Sequence, residues 1–283
     1  MGMTPVGAGF GLGAAATWGS ADFCGGIASR RASARATVVL SQAIGLFVAI
    51  AILVLVGEPI PSWAALAWAG LAGTLGVAGL ACLYRGMTTG AMGLVASIAA
   101  VVGAGTPVVV GAITGDQLRL VDVAGIGLAL VALILVTRPT RHASLSREGL
   151  ALALLAGAGA GCFFLAMGRA EAAGGGPWWL IVASRGLSLL LALGVVGARG
   201  GLREVGRSLS PIMFGVGLFD VAGTAFFLLA STQGALSIAA VVASQHPAAV
   251  TILARLILKE RLARIQVAGI VAALVAIALI TSP

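Results

Sequence analysis

Four ionisable side chains lie inside long apolar stretches of this 283-residue chain: Asp22, Arg185, Asp220 and His246. An ionisable group in hydrocarbon costs about 3 kcal/mol or more, so it is kept for a purpose or held by a partner. Asp220 interrupts LFDVAGTAFF, Leu218–Phe227. Its carboxylate can bind a proton or face a substrate amine; the competing reading is a structural ion pair with Arg185. Arg185 in turn can hold a substrate carboxylate through two parallel N–H bonds. Were both free, they would suit a zwitterion such as an amino acid. Asp22 has two readings, a group in a cavity or a carboxylate at the interface paired with Arg30 or Arg31. In ASQHPAAV, Ala243–Val250, Pro247 has no N–H to offer the carbonyl of Ala243. Ser244, Gln245 and His246 share that turn, and an imidazole titrates near neutral pH. Either this broken turn lines a substrate path, or it is a tolerated kink repaired by Ser244 or a water. Gln42 adds uncharged polarity inside the second apolar run, and Trp18 stands in the first.

These groups need a scaffold of apolar helices. Hydrophobic residues make up 60% of the chain and charged ones 9%, against about a quarter charged in soluble proteins. The mean hydropathy is +1.11. The expected class is all-α, a polytopic membrane protein. Ten runs reach the roughly 20-residue length that spans a bilayer: 6–27, 36–56, 63–83, 91–112, 120–137, 149–168, 178–198, 211–231, 237–257 and 265–281. On these bounds Asp220 sits about nine residues into its run, near mid-depth at about 1.5 Å per residue. Asp22 sits nearer the end of its own. The first run is followed, not preceded, by Arg30 and Arg31, which reads as a retained span rather than a cleaved leader.

Basic residues sort by connection. Those after the odd-numbered runs carry most of the Lys and Arg, from Arg30 and Arg85 through Arg147 and Arg203 to Lys259 and Arg264. The even-numbered ones carry Arg119 and Arg169, with Glu58, Asp116, Asp122 and Glu171. That asymmetry puts the odd connections in the cytoplasm and both termini outside the inner membrane of the cell. The net charge of +8 is then a topology signal, and no nucleic acid partner is expected. Cys24, Cys82 and Cys162 lack metal-ligand spacing. No cofactor or metal is expected.

A shift of 144 residues lays the chain on itself. TLGVAG at Thr74–Gly79 falls on LFDVAG at Leu218–Gly223, TTGA at Thr88–Ala91 on TQGA at Thr232–Ala235, and VAGIGLALVALILVTRP from Val123 on VAGIVAALVAIALITSP from Val267. No gap is needed, and about two dozen positions are identical. Two repeats follow, 1–139 and 140–283. Each holds five runs, so the second must enter the membrane from the opposite side, an architecture of secondary transporters. Gly76 is the repeat mate of Asp220, so the fold does not need an acid at that place in both halves.

Two five-helix halves ending in GDQLRLVDVAGIGLALVALILV and LKERLARIQVAGIVAALVAIALI resemble the drug/metabolite transporter superfamily, in its EamA-type branch. The resemblance includes an acid before the last helix of each repeat, Asp116 and Glu260, and the Trp18–Gly19 pair in the first run. It implies export or import of a small solute, with proton exchange as a coupling by analogy. Asp116 stands where the family more usually has Glu, and Gly103 where the second copy has Pro247, so the first repeat departs from the pattern.

The expected activity is secondary transport of a small metabolite (an amino acid, drug or related solute), outward, by alternating access around a midplane cavity. Two alternatives stand beside it, an intramembrane enzyme and a channel-like facilitator. An aspartyl dyad of Asp22 and Asp220 would need both at one depth, and the runs place them at different depths. Zinc hydrolysis needs His–Glu clusters, and the chain has two histidines, His142 and His246. An enzyme is not expected. A chain carrying both repeats can act as a monomer.

Overall fold

The computed structural model describes residues 3–88, 92–115, 118–136, 146–257, 259 and 263–280, the side chains of 30, 92–94 and 97 excepted. Among these residues there are twelve helices and no strand. They are α1 (Pro5–Arg31), α2 (Ala34–Val56), α3 (Trp63–Thr88), α4 (Met92–Thr114), α5 (Leu120–Val136), α6 (Arg147–Ala172), α7 (Pro177–Ala198), α8 (Leu202–Arg207), α9 (Pro211–Ser231), α10 (Leu236–Ala243), α11 (His246–Ile257) and α12 (Arg264–Ile280).

Local sequence explains the ends. Thr4, Ser33 and Ser146 cap α1, α2 and α6 by accepting from the N–H three residues on. Pro5, Pro177 and Pro211 open α1, α7 and α9, where a missing N–H costs nothing. Gly57, at φ +68°, closes α2 in the left-handed conformation.

Five helices (α2, α3, α6, α7 and α9) and the tandem α10–α11 are long and apolar enough to cross a membrane. Residues 98–114 of α4, with α5 and α12, form shorter apolar helices. Large apolar side chains lie open on the outside, among them Phe47, Val54, Trp63 and Leu190. In water such an exposed belt would be a liability; against lipid it costs nothing. The chain is a multi-pass membrane protein.

The expected boundaries agree with the helices to within a few residues, with two differences. The run 237–257 is two helices, broken at Ser244 and Gln245. The connection after α7, expected to be plain loop, carries the short α8, whose Val205 packs with Val39 of α2 and Val196 of α7.

The packing follows the 144-residue repeat. That shift pairs α1 with α6, α2 with α7, and α3 with α9. The most extensive contacts are α3 on α6 and α1 on α9, which are mates of each other. So are α3 on α7 and α9 on α2, while α5 lies along α12. The first helix of each half thus packs against the third helix of the other. Small residues make this approach close: a Cβ on Gly159 would stand 2.7 Å from the Gly79 Cα. Backbone-to-backbone contact of this kind replaces the hydrophobic drive that lipid removes.

At one end of the bundle the α2–α3 connection is tied to the α6–α7 connection. Glu58 Oε2 accepts from the N–H groups of Trp178 (3.0 Å) and Trp179 (3.2 Å), and the Trp179 indole donates to the Glu58 carbonyl. A carboxylate there satisfies free N–H groups and meets the positive end of α7. Ser62 Oγ adds a bond to the Ala173 carbonyl, 3.0 Å. Elsewhere the exposed Arg85 and Glu148 pair at 2.7 Å.

Candidate functional site

Arg185 is the hub of the buried polar chemistry. α7 runs on from Pro177, so Arg185 stands two turns inside it, 7% exposed. Its Nη1 reaches Asp220 Oδ2 of α9 at 2.5 Å and Gln42 Oε1 of α2 at 3.0 Å. Its Nη2 donates to Thr224 Oγ1 at 3.0 Å and to the Asp220 carbonyl at 3.5 Å. Thr224 Oγ1 also donates to the Asp220 carbonyl, 3.0 Å. Nε is buried without a hydrogen-bond partner among the described residues. Three helices therefore converge on one guanidinium. The Asp220 side chain retains 19% exposure, so it is paired but not sealed.

α7 is seated on α3 beside this cluster. Gly73 lies so close under Ser184 that a Cβ there would overlap the Ser184 carbonyl, and Ser188 Oγ donates to the Gly73 carbonyl at 2.8 Å. Only glycine allows that approach.

A second contact lies across α1 and α11. His246 Nδ1 stands 2.8 Å from Asp22 Oδ2, with the two side chains 21% and 13% exposed. The ring nitrogen is close enough for a charge interaction but is not aligned as a hydrogen bond. Gly19, one turn before Asp22, permits it: a Cβ on Gly19 would be 2.6 Å from the His246 carbonyl oxygen.

The break before His246 is buried. Ser244 and Gln245 are 2% and 3% exposed. Gln245 Nε2 donates to the carbonyls of Val241 (3.3 Å) and Ala129 (3.4 Å), which ties the break to α5. Gln245 Oε1 is buried with no partner among the described residues. Pro247 is the second residue of α11 and needs no N–H partner there. Pro107, by contrast, sits inside an unbroken α4.

Trp18 packs with Phe163, Phe164 and Phe227, at centroid separations of 6.4, 5.8 and 5.8 Å. Tyr84 of α3, the single tyrosine, is 2% exposed and packs its hydroxyl against Gly25 of α1, three residues after Asp22. α1 extends to Arg31, so Asp22 stands nine residues from its end.

The structure brings together Arg185, Asp220 and Gln42 in one cluster, and Asp22 and His246 in another. Asp22, read from the sequence as a cavity group or an interfacial carboxylate paired with Arg30 or Arg31, meets His246. Arg185 and Asp220 are bonded to each other. Thr224 and Tyr84 escaped the sequence reading. Thr224 lies four residues after Asp220 and so on the same helix face, and a lone tyrosine just past the third apolar run was the signal for the other. Asp116, Glu260 and His142 lie outside the described residues. Away from both clusters, the fully buried Asp122 accepts from Arg119 Nη2 at 2.8 Å, and this bond raises the Arg119 guanidinium above its ordinary range.

The family model described as EamA-like transporter family matches residues 5–138 and 147–282, nearly the whole chain in two copies. A solved crystal structure of a protein superposes with a TM-score of 0.70, covering 98% of each chain at 17% identity, a likeness of fold. A search of curated proteins gave no significant match.

Proposed function

The chain belongs to the EamA-like transporter family, and on that premise we propose that it is a secondary transporter exporting a small metabolite by alternating access. In this reading ten helices cross the inner membrane as two inverted five-helix repeats, 1–139 and 140–283, with both termini outside. The solute passes a midplane site between the repeats. Asp220, Arg185, Gln42 and Trp18 stand at that site with Asp22, His246, Gln245 and Ser244, and protons are the coupling ion.

One observation carries the reading: the Arg185–Asp220–Gln42 cluster joins α7 and α9 of one repeat to α2 of the other, with Asp220 still partly accessible. A buried charge cluster across repeats is a place where a charged or zwitterionic solute can compete for partners as the halves rock. A solute carboxylate exchanges with Asp220 at Arg185, and a solute amine exchanges with Arg185 at Asp220. A zwitterionic solute that makes both exchanges at once leaves neither Arg185 nor Asp220 unpaired, which keeps the cost low in low dielectric.

The test is a comparison of secreted and retained small metabolites between cells with and without the chain, followed by flux of the changed solute in reconstituted vesicles. Export that rises with the chain and falls in Asp220→Asn supports the reading. An unchanged metabolite profile, or full flux with unaltered pH dependence in Asp220→Asn, overturns it.

A further inference from the structure

The two charged contacts differ in kind, and the difference assigns them different work. Arg185 is held by Asp220, Gln42 and Thr224 at once, and a guanidinium does not lose its proton in a protein. Asp22 and His246 have one another, and no further hydrogen-bond partner for the Nδ1 contact exists among the described residues. Their interaction depends on the charge of an imidazole, which changes between about pH 5 and 8.

The place of this contact matters more than its strength. Under the 144-residue shift Asp22 corresponds to Ala166 and His246 to Val102. The α1–α11 seam is therefore the mate of the α6–α4 seam. That second seam is built on small residues and has no charge at the matching pair: Gly157 packs on Val102 and the Ala99 carbonyl, Gly103 on the Ala160 Cβ, and Gly161 on Thr106. α4 runs through it unbroken, whereas the helix is broken before His246. Break, imidazole and facing carboxylate all occur together in one of two equivalent seams. In a pair of exchanging repeats, equivalent seams take turns at being closed.

We propose that Asp22 and His246 form a proton-binding lock on the α1–α11 seam, closed when the imidazole is protonated and released when that proton leaves. This rests on the transporter reading and says where its proton binds. Charged imidazole and ionised carboxylate attract across the seam in a medium of low dielectric. Loss of the imidazole proton removes the attraction and leaves a carboxylate without its counter-charge at the seam, so the open seam is favoured.

The other ionisable groups around the pair are few. α1 itself brings Cys24, Arg30 and Arg31, α2 brings Arg35, α3 brings Cys82, Tyr84 and Arg85, and α9 brings Asp220, engaged with Arg185 of α7. α5 brings Asp122, held by Arg119; α11 brings its own Arg255; α4 and α10 bring none. Among the side-chain types present here, an imidazole is the one whose charge ordinarily changes near neutrality.

The test reads the seam directly and needs no solute. In the full chain with Cys24, Cys82 and Cys162 changed to Ser, Ala249→Cys places a thiol on the seam, since Ala249 packs against Gly19. Its alkylation by N-ethylmaleimide is followed in lipid nanodiscs from pH 5.5 to 8.5, and each rate is divided by that of the same chain unfolded in detergent, which removes the thiol's own titration. The expected result is a corrected rate that rises at least threefold with pH, and a flat profile in Asp22→Asn and in His246→Gln. Val250→Cys serves as a second reporter should Ala249→Cys fold poorly. A flat profile in the parent, or an equal rise in both variants, overturns the lock. A pH-dependent seam in a chain that moves no solute would instead count against the transporter reading alone, and solute flux with a flat seam against the lock alone.

Discussion

Arg185 of α7 and Asp220 of α9 meet at 2.5 Å between helices that are 35 residues apart in the chain, with Gln42 completing the cluster from α2. The acid is therefore a counter-charge first, whatever else it binds. Removing one partner strands the other charge in a site that water reaches poorly. Asp220→Ala and Arg185→Ala are each expected to destabilise the chain by about 3–5 kcal/mol, and the double variant by less than either. Thermal unfolding in a single detergent, arranged as a double-mutant cycle, checks this. Additive losses would mean that the pair is not coupled.

Thr224 makes a finer test of the same cluster. Thr224→Val keeps the side-chain shape and removes the hydroxyl that accepts from Arg185 Nη2. A loss of about 1–3 kcal/mol is expected from the unpaired donor, with Thr224→Ser close to the parent. The measurement is the same unfolding midpoint.

Close helix approach predicts a sharp contrast among glycines. Gly73→Ala drives a methyl group into the Ser184 carbonyl and disturbs the Ser188 bond, so folded yield is expected to fall strongly. Gly9 and Gly105 have open space where a Cβ would go. Gly9→Ala and Gly105→Ala are expected to be neutral or stabilising by about 0.5–1 kcal/mol. Size-exclusion profiles of the solubilised variants separate the two classes.

Glu58 links two connections through the start of α7. Glu58→Ala is expected to cost about 0.5–2 kcal/mol, the usual loss of a helix cap, and to change the emission of Trp178 and Trp179, whose N–H groups it holds. Fluorescence of the variant against the parent at equal folded concentration reads this. An unaltered spectrum together with an unaltered midpoint would remove Glu58 from any role in holding that end together.

Most of the scaffold was legible in advance. A helix in lipid must be apolar for its whole length, and its ends must be marked by caps, prolines or charges, so composition alone locates it. Gly, Thr and Pro positions at a constant offset carried the repeat. The break before His246 and its place at Ser244 and Gln245 were readable from Pro247, whereas the tie from Gln245 to α5, more than a hundred residues earlier in the chain, was not. α8 was missed, since six residues with two arginines carry too little periodicity to announce a helix.

By itself the sequence determined which residues are costly in a membrane, Asp22, Arg185, Asp220 and His246, and that Asp220 has no counterpart at Gly76. Tertiary structure decided whom each one meets. Depth along a helix can be counted at about 1.5 Å per residue, but the direction a side chain faces depends on how helices rotate and cross. Here that is set by small residues: Gly73 seats α7 on α3 near Arg185, and Gly19 brings α1 onto α11. Asp22 consequently meets His246, and Arg185 meets Asp220, because charges in low dielectric find partners only where packing lets them touch.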